Sequence, residues 1–369
     1  MVVVHHASSV AGAGVSPLIR VPAGVLDGGV AVFFALSGFL IFRPFASARA
    51  SGGPAPNVRS FAVRRLARLI PAYWVALSVL WAVGAVHLGQ NWWRYYLLLQ
   101  PYSRETVLGG LVPAWTLSTE LAFYAFVPLW DRLLRWTTPH ATTVGELGAC
   151  LVLYVSGFAF RAVVSEFNPT WRGLSFQWLP ANIDLFAIGM AVAVLTMRVA
   201  DSRPTHGTIG RLVSNAEVMW AMAAALIIWY ILRVGPPDQA QLGDPYGAYR
   251  GAYWQQRQWV LGVLSLLLLA PLVLGSQGRG PVRRFLGLQR IVWLGTISYG
   301  LYLWHLPIME WAARRSQWGT SSFLDAILPT VGTRGFLYFL LVGLTIGCAF
   351  AAASWRWVER PAQRVAAHG

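Results

Sequence analysis

Apolar residues in this chain come in long blocks, with short polar segments between them. Neither the alternation of a half-buried strand nor the three-to-four spacing of a soluble amphipathic helix dominates. A helix crossing the hydrocarbon core of a bilayer needs about 20 mainly apolar residues. Blocks of that kind lie near 29–46, 69–89, 114–134, 146–165, 181–200, 216–234, 257–276, 290–312 and 334–354. A further block, near 1–16, is short on its upstream side and reads as the remainder of a helix. The pattern predicts an all-α, polytopic transmembrane helical bundle of about ten membrane helices, the first truncated at its N-terminal end. It also predicts one domain over 1–369 with no appended soluble domain.

Composition agrees with that pattern. Hydrophobic residues make up 56% of the chain and charged residues 12%, about half the charged share of a soluble domain. All 29 basic residues are arginine, and the net charge is +15. Eighteen of these arginines fall in clusters at alternate connections of the apolar blocks: Arg43, Arg49, Arg59, Arg64, Arg65 and Arg68; Arg132 and Arg135; Arg198, Arg203 and Arg211; Arg279, Arg283, Arg284 and Arg290; Arg356, Arg360 and Arg364. The clusters occupy every second connection, which places them on the cytoplasmic side of a bacterial plasma membrane and predicts a cytoplasmic C-terminus. Scattered in this way, the charge argues against nucleic acid as a partner, which would draw it onto one face or tail.

The opposite connections carry Trp92, Trp93, Tyr95, Tyr96, Trp171, Trp178, Tyr246 and Trp254, as an interfacial aromatic belt would. Cys150 and Cys348 stand alone in separate apolar blocks and read as small core residues, not as a disulfide or metal site. No basic segment precedes the first apolar stretch, so no cleavable signal peptide is expected.

Ionisable residues inside spans are costly and therefore candidates for function. His5 and His6 sit in the first apolar stretch, and spacing alone does not separate them. Glu120 lies at the head of the 114–134 block with Trp115, Ser118 and Tyr124 close in sequence. That suggests either a carboxylate at a helix start or a polar, aromatic-lined pocket. Asp184 repeats the arrangement at the head of the 181–200 block and reads as a structural cap. Arg65 and Arg68 are three residues apart, hence on one helix face, where two guanidiniums suit phosphate binding as well as interfacial anchoring. Tyr299, Tyr302 and His305 lie within one block, where a histidine more often bonds between helices than catalyses. Glu310 and Arg314, four residues apart, read as an interfacial pair.

Taken together, these segments resemble the acyltransferase-3 family of bacterial membrane O-acyltransferases. The match runs through the His5–His6 stretch, Gly29-Val-Ala-Val-Phe-Phe-Ala-Leu-Ser-Gly-Phe-Leu-Ile41, the Arg-x-x-Arg of 65–68, Trp115-Thr-Leu-Ser-Thr-Glu120, Ser298-Tyr-Gly-Leu-Tyr-Leu-Trp-His305 and Glu359-Arg-Pro361. The resemblance implies transfer of an acyl group, often acetyl, from a cytoplasmic coenzyme A thioester to a hydroxyl of a carbohydrate or glycosylated natural product. In the family a first-helix Arg-x10-His motif supplies the catalytic histidine. The corresponding arginine would precede residue 1, so the true start is expected upstream of Met1. Ala31 stands where the family often has an acidic residue, and Ser37-Gly38 is retained. His6, followed by the small residues Ala7 and Ser8, matches the family's catalytic histidine better than His5.

Acyl transfer to a hydroxyl needs a base, and histidine titrates near neutrality. The expectation is that His6 removes the hydroxyl proton, Glu120 orients His6 or balances its charge, and Arg65 and Arg68 hold coenzyme A phosphates. His5, Ser37, Trp115, Ser118, Tyr299, Tyr302 and His305 are expected around the substrates, with no metal. The partners implied are the bilayer, the thioester and the glycoside acceptor. The contrasting reading is a proton-coupled transporter or flippase in which the same residues relay protons.

Overall fold

The computed structural model describes residues 1–12, 15–107, 109–138, 142–167, 174–201, 215–233, 251–274, 280–316 and 331–368. Trp171, Arg203, Arg211, Tyr246 and Arg279, read above as belt or cluster residues, lie outside them. Every regular element among the described residues is helical. In chain order these are α1 (Val2–Ala11), α2 (Pro17–Val25), α3 (Gly29–Ala50), α4 (Val58–Ala82), α5 (Trp92–Tyr96), α6 (Trp115–Thr137), α7 (Thr143–Phe167), α8 (Leu179–Asp201), α9 (Ala216–Arg233), α10 (Gly251–Val273), α11 (Pro281–Leu286), α12 (Gln289–Ser316), α13 (Val331–Ser354) and α14 (Arg360–His368). One π-helical turn, Trp355–Glu359, joins α13 to α14.

Each apolar block from 29–46 onward corresponds to one long helix. The expected count of about ten spans is not confirmed by length and hydropathy alone. Among the described residues, six segments are long and apolar enough to cross a membrane: Pro17–Ala50, Thr143–Ser165, Leu179–Met197, Ala216–Arg233, Ala252–Val273 and Gly332–Ala367. α1 is a short apolar helix of ten residues. α4, α6 and α12 have the length but carry the arginines, carboxylates and histidine singled out above, which lowers their hydropathy. α2, which leads through a single 3-10 turn into α3, was not anticipated. Its proline at the first turn is a helix-start signal that the neighbouring glycines obscure.

The described chain forms two compact units. The first holds Met1–Gly29, Ala62–Leu117 and Gln289–Gly369. In it α12 and α13 pack along each other, and α1 packs against both. Val3, Val4, Val10 and Ala11 of α1 lie against a core of Ala7, Val15, Met309, Ala312, Phe336 and Phe339. A ten-residue helix is only marginally stable by itself, so this apolar contact sets the direction in which the histidines of α1 point.

The second unit holds Val30–Phe61 and Ser118–Leu288. Its α7 and α8 pack along each other, α9 packs on α10, and α10 meets α7 and α8. Phe34, Phe186 and Phe123 stack in its core, with ring centroids 4.7 and 4.1 Å apart. Small residues bring α3 and α8 together: a Cβ on Gly189 would fall on the carbonyl oxygen of Ala35, and one on Gly38 on that of Phe186. Main chain cannot swing aside as a side-chain tip can. Gly189→Ala is therefore expected to destabilise by about 1–3 kcal/mol, read as a lower melting temperature of the detergent-purified protein.

Two buried ion pairs in this unit depart from expectation. Arg49, read as part of a cytoplasmic cluster, is buried. It pairs with Glu146, and its Nη2 donates to the carbonyl oxygen and hydroxyl of Thr138 at 3.2 and 3.1 Å. Asp184 is not a helix cap. It lies beyond the first turn of α8, and its Oδ2 accepts from Arg161 Nη2 at 2.9 Å. Arg161 also donates to the Ala181 carbonyl at 2.7 Å and to Gln255 Oε1 at 3.1 Å, and Gln258 donates to Asp184 Oδ1 at 3.3 Å. This network ties α7, α8 and α10 together. An intramembrane arginine must find such partners.

Candidate active site

In the first unit, one block of α12 contacts three other segments that the sequence singles out. Residues three apart on a helix sit on successive turns of adjoining faces, so Tyr299, Tyr302 and His305 reach three different neighbours. Tyr299 donates its hydroxyl to the carbonyl of Leu69, one residue past Arg68 on α4, at 2.6 Å. Tyr302 places its hydroxyl 2.8 Å from the carbonyl of Pro113 and 2.8 Å from the hydroxyl of Thr116, at the head of α6 beside Trp115. His305, fully buried, meets His6 of α1: Nε2 lies 2.8 Å from His6 Nδ1, and the rings meet edge to edge, with centroids 5.0 Å apart and planes tilted by 21°.

The structure therefore distinguishes the adjacent histidines that spacing left open. His5 Nδ1 lies 3.1 Å from the carbonyl of Ala23 on α2 and donates to it, since a carbonyl only accepts. His6 alone is bonded to another ionisable side chain of the two. Neighbours on a helix point about 100° apart, which is why each takes its own partner. Both are half-buried, with Ala7 and Ser8 buried directly after them.

Arg65 is half-buried and Arg68 exposed on α4, in the same unit. The buried carboxylate of Glu359 lies within electrostatic reach of Arg68 and accepts from the Ser354 hydroxyl at 3.0 Å. Glu359 ends the π-helical turn, a local widening that often marks functional sites. In the sequence, Glu359 stands out only as part of the terminal Glu-Arg-Pro motif.

Glu120 belongs to the second unit. It is buried, and its Oε1 accepts from Tyr124 at 2.6 Å and from Ser37 at 3.3 Å. It lies beyond the first turn of α6, so a plain helix-start carboxylate does not describe it. Ser118 is buried close by in sequence, and Trp115 and Thr116 fall in the first unit. Among the described residues, no three His, Cys, Asp or Glu side chains group as metal ligands would.

In the first unit the paired imidazoles of His6 and His305 can hold and pass a proton, beside an arginine pair on α4, and in the second unit Glu120 is a carboxylate held by two hydroxyls. The membrane-length helices and the family of the relatives below mark the chain as a bacterial membrane protein. A family model described as an acyltransferase domain matches residues 1–354. The chain is 24% identical over 365 residues to Nodulation protein 10 of Rhizobium leguminosarum bv. viciae, covering 91% of this chain and 82% of that one. It is 22% identical over 351 residues to a Bacillus subtilis (strain 168) protein named as a candidate peptidoglycan O-acetyltransferase, covering 90% of this chain and 50% of that one. It is 23% identical over 354 residues to a candidate O-acetyltransferase of Staphylococcus aureus (strain COL), covering 90% and 52%. The chain thus spans about half the length of the Bacillus and Staphylococcus relatives. No solved structure matches it. With the family model matched along nearly the whole chain, and its motifs gathered on the helices described, this protein belongs to the acyltransferase-3 family.

Proposed function

We propose that the protein is an integral membrane O-acyltransferase that moves an acetyl group from acetyl-coenzyme A to a hydroxyl of a carbohydrate or glycosylated natural product. The observation that carries this reading is His6, bonded to the fully buried His305 in an acyltransferase family member. His6 takes the proton of the acceptor hydroxyl as its oxygen attacks the thioester carbonyl. The acyl–sulfur bond breaks, the acyl–oxygen bond forms, and His6 returns the proton to the departing coenzyme A thiolate. No covalent acyl-enzyme is required. Glu120, with Ser37 and Tyr124, supplies a second ionisable group, and the cytoplasmic surface carries the C-terminus.

Arg65 and Arg68 are assigned to the donor's phosphates, because paired guanidinium forks bind phosphate oxygens through charge-assisted bonds. One such bond contributes roughly 1.5–3 kcal/mol, so Arg65→Ala is expected to raise the KM for acetyl-coenzyme A about 10- to 100-fold at unchanged acceptor KM. The test uses purified protein in lipid nanodiscs with a panel of glycosides, supplied in parallel with labelled acetyl-coenzyme A and labelled acetyl phosphate. Transfer from the thioester alone supports the reading. Equal use of acetyl phosphate, or a donor KM indifferent to Arg65, removes coenzyme A from it.

A further inference from the structure

The hydrogen bonds around His305 settle which nitrogen of His6 is bare. Nδ1 of His305 lies 2.8 Å from the carbonyl oxygen of Leu301, one turn back on α12. A carbonyl oxygen has no proton to give, so Nδ1 carries the hydrogen. His305 is 0% exposed. A second proton on its ring would leave a fully buried cation to which, among the described residues, no carboxylate is bonded, an arrangement that is expensive. The ring is therefore neutral, with its lone pair on Nε2. That lone pair faces His6 Nδ1 at 2.8 Å. Two lone pairs do not approach so closely, so His6 Nδ1 bears the hydrogen and donates it. In a neutral His6 the remaining lone pair is on Nε2.

We infer that His305 is a positioning residue: it holds His6 in the Nδ1–H tautomer and turns the ring so that Nε2 is the atom that takes the acceptor's proton. This rests on His6 being the base, as proposed above. The chain of donors runs from His6 Nδ1 to His305 Nε2, and from His305 Nδ1 to the Leu301 carbonyl. When His6 Nε2 gains a proton, its Nδ1–H bond to His305 becomes charge-assisted with no group having to move. A preorganised partner of this kind acts through the base and not on substrate. The Leu301 carbonyl is the fixed end of the chain: it belongs to the same helix, so its direction is set by the helix itself. The two imidazole planes are tilted by only 21° and the rings meet edge to edge, with centroids 5.0 Å apart, so the bond lies in the plane where the lone pair lies.

The test separates the tautomer from the activity. In protein labelled with 15N-histidine and reconstituted in bilayers, solid-state NMR is expected to show His6 with a protonated Nδ1 and a bare Nε2. His305→Leu is expected to abolish that preference, and to lower kcat about 10- to 100-fold with the acetyl-coenzyme A KM unchanged. His305→Gln, whose carbonyl can accept from His6 Nδ1, is expected to recover at least tenfold of the loss and to report on the site should the leucine variant fold poorly. In a His6→Ala background, His305→Leu is expected to cost nothing more. Should His6→Ala retain full activity, the assignment of the base fails. Should His6→Ala be inactive while His305→Leu keeps wild-type kcat, should His305→Gln lose as much as His6→Ala, or should His6 Nδ1 be bare in the unaltered protein, the positioning inference is overturned and the base assignment stands.

Discussion

His6→Ala is expected to lower acyl transfer by about 10²- to 10⁴-fold, the usual contribution of a positioned general base. The loss should appear in kcat, because in the proposed reaction the imidazole acts on a proton that moves only as the ester forms. Donor binding, assigned to arginines on another helix, should change little. His5→Ala provides the internal contrast. Its ring donates to the Ala23 carbonyl, so its removal frees a main-chain acceptor between α1 and α2 at a cost of roughly 1 kcal/mol. The two neighbours should therefore differ by at least tenfold in their effect on kcat. Parallel losses at both positions would mean that α1 matters as a helix and not through one ring.

The largest effect on stability is expected from Asp184→Ala. Arg161 is fully buried and Asp184 nearly so, and the pair is bonded at 2.9 Å. Removing one member of a buried pair leaves the other uncompensated, which typically costs about 3–5 kcal/mol. That is a large part of the 5–15 kcal/mol that holds a typical protein folded. Asp184→Ala should show a sharply lower melting temperature in detergent and a reduced monodisperse fraction after extraction. Asp184→Asn retains acceptor and donor groups and should lose less. Replacing both members, Arg161→Met with Asp184→Leu, should recover part of the loss, because no isolated charge then remains. Equal instability of the single and double variants would indicate that Gln255 and Gln258 need the pair for their own bonding.

The helices were legible because the bilayer imposes a length on apolar blocks. From 29–46 onward each block is one helix, and the ends differ by six residues or fewer except at α4, which stops seven residues sooner, at Ala82, and runs eleven residues further back, from Val58, into the arginine cluster. That extension has a physical cause: long basic side chains continue a helix beyond the apolar core while their charges reach water. Asp184 was misread because the partner that changes its role, Arg161, is 23 residues away and looks like one more arginine. The His6–His305 contact spans 299 positions, and no local pattern signals it. What the sequence did carry was the need for a partner: each histidine stands in an apolar stretch where an unpaired polar ring is costly. Glu120 was recognisable as a site residue, but its bond to Ser37, 83 residues earlier, emerges only when α3 and α6 are placed. The contact of α3 with α8 was half visible, since Gly38 marks a close approach without naming the helix that makes it.

The most direct measurement is a single-turnover reaction of the purified protein in nanodiscs, with labelled acetyl-coenzyme A and a glycoside acceptor, run beside the His6→Ala variant. The account predicts one labelled, base-labile ester formed for each coenzyme A released by the unaltered protein, and at least a hundredfold slower formation in the variant. Equal rates in the two proteins, or movement of the glycoside across the bilayer with no ester formed, would contradict it.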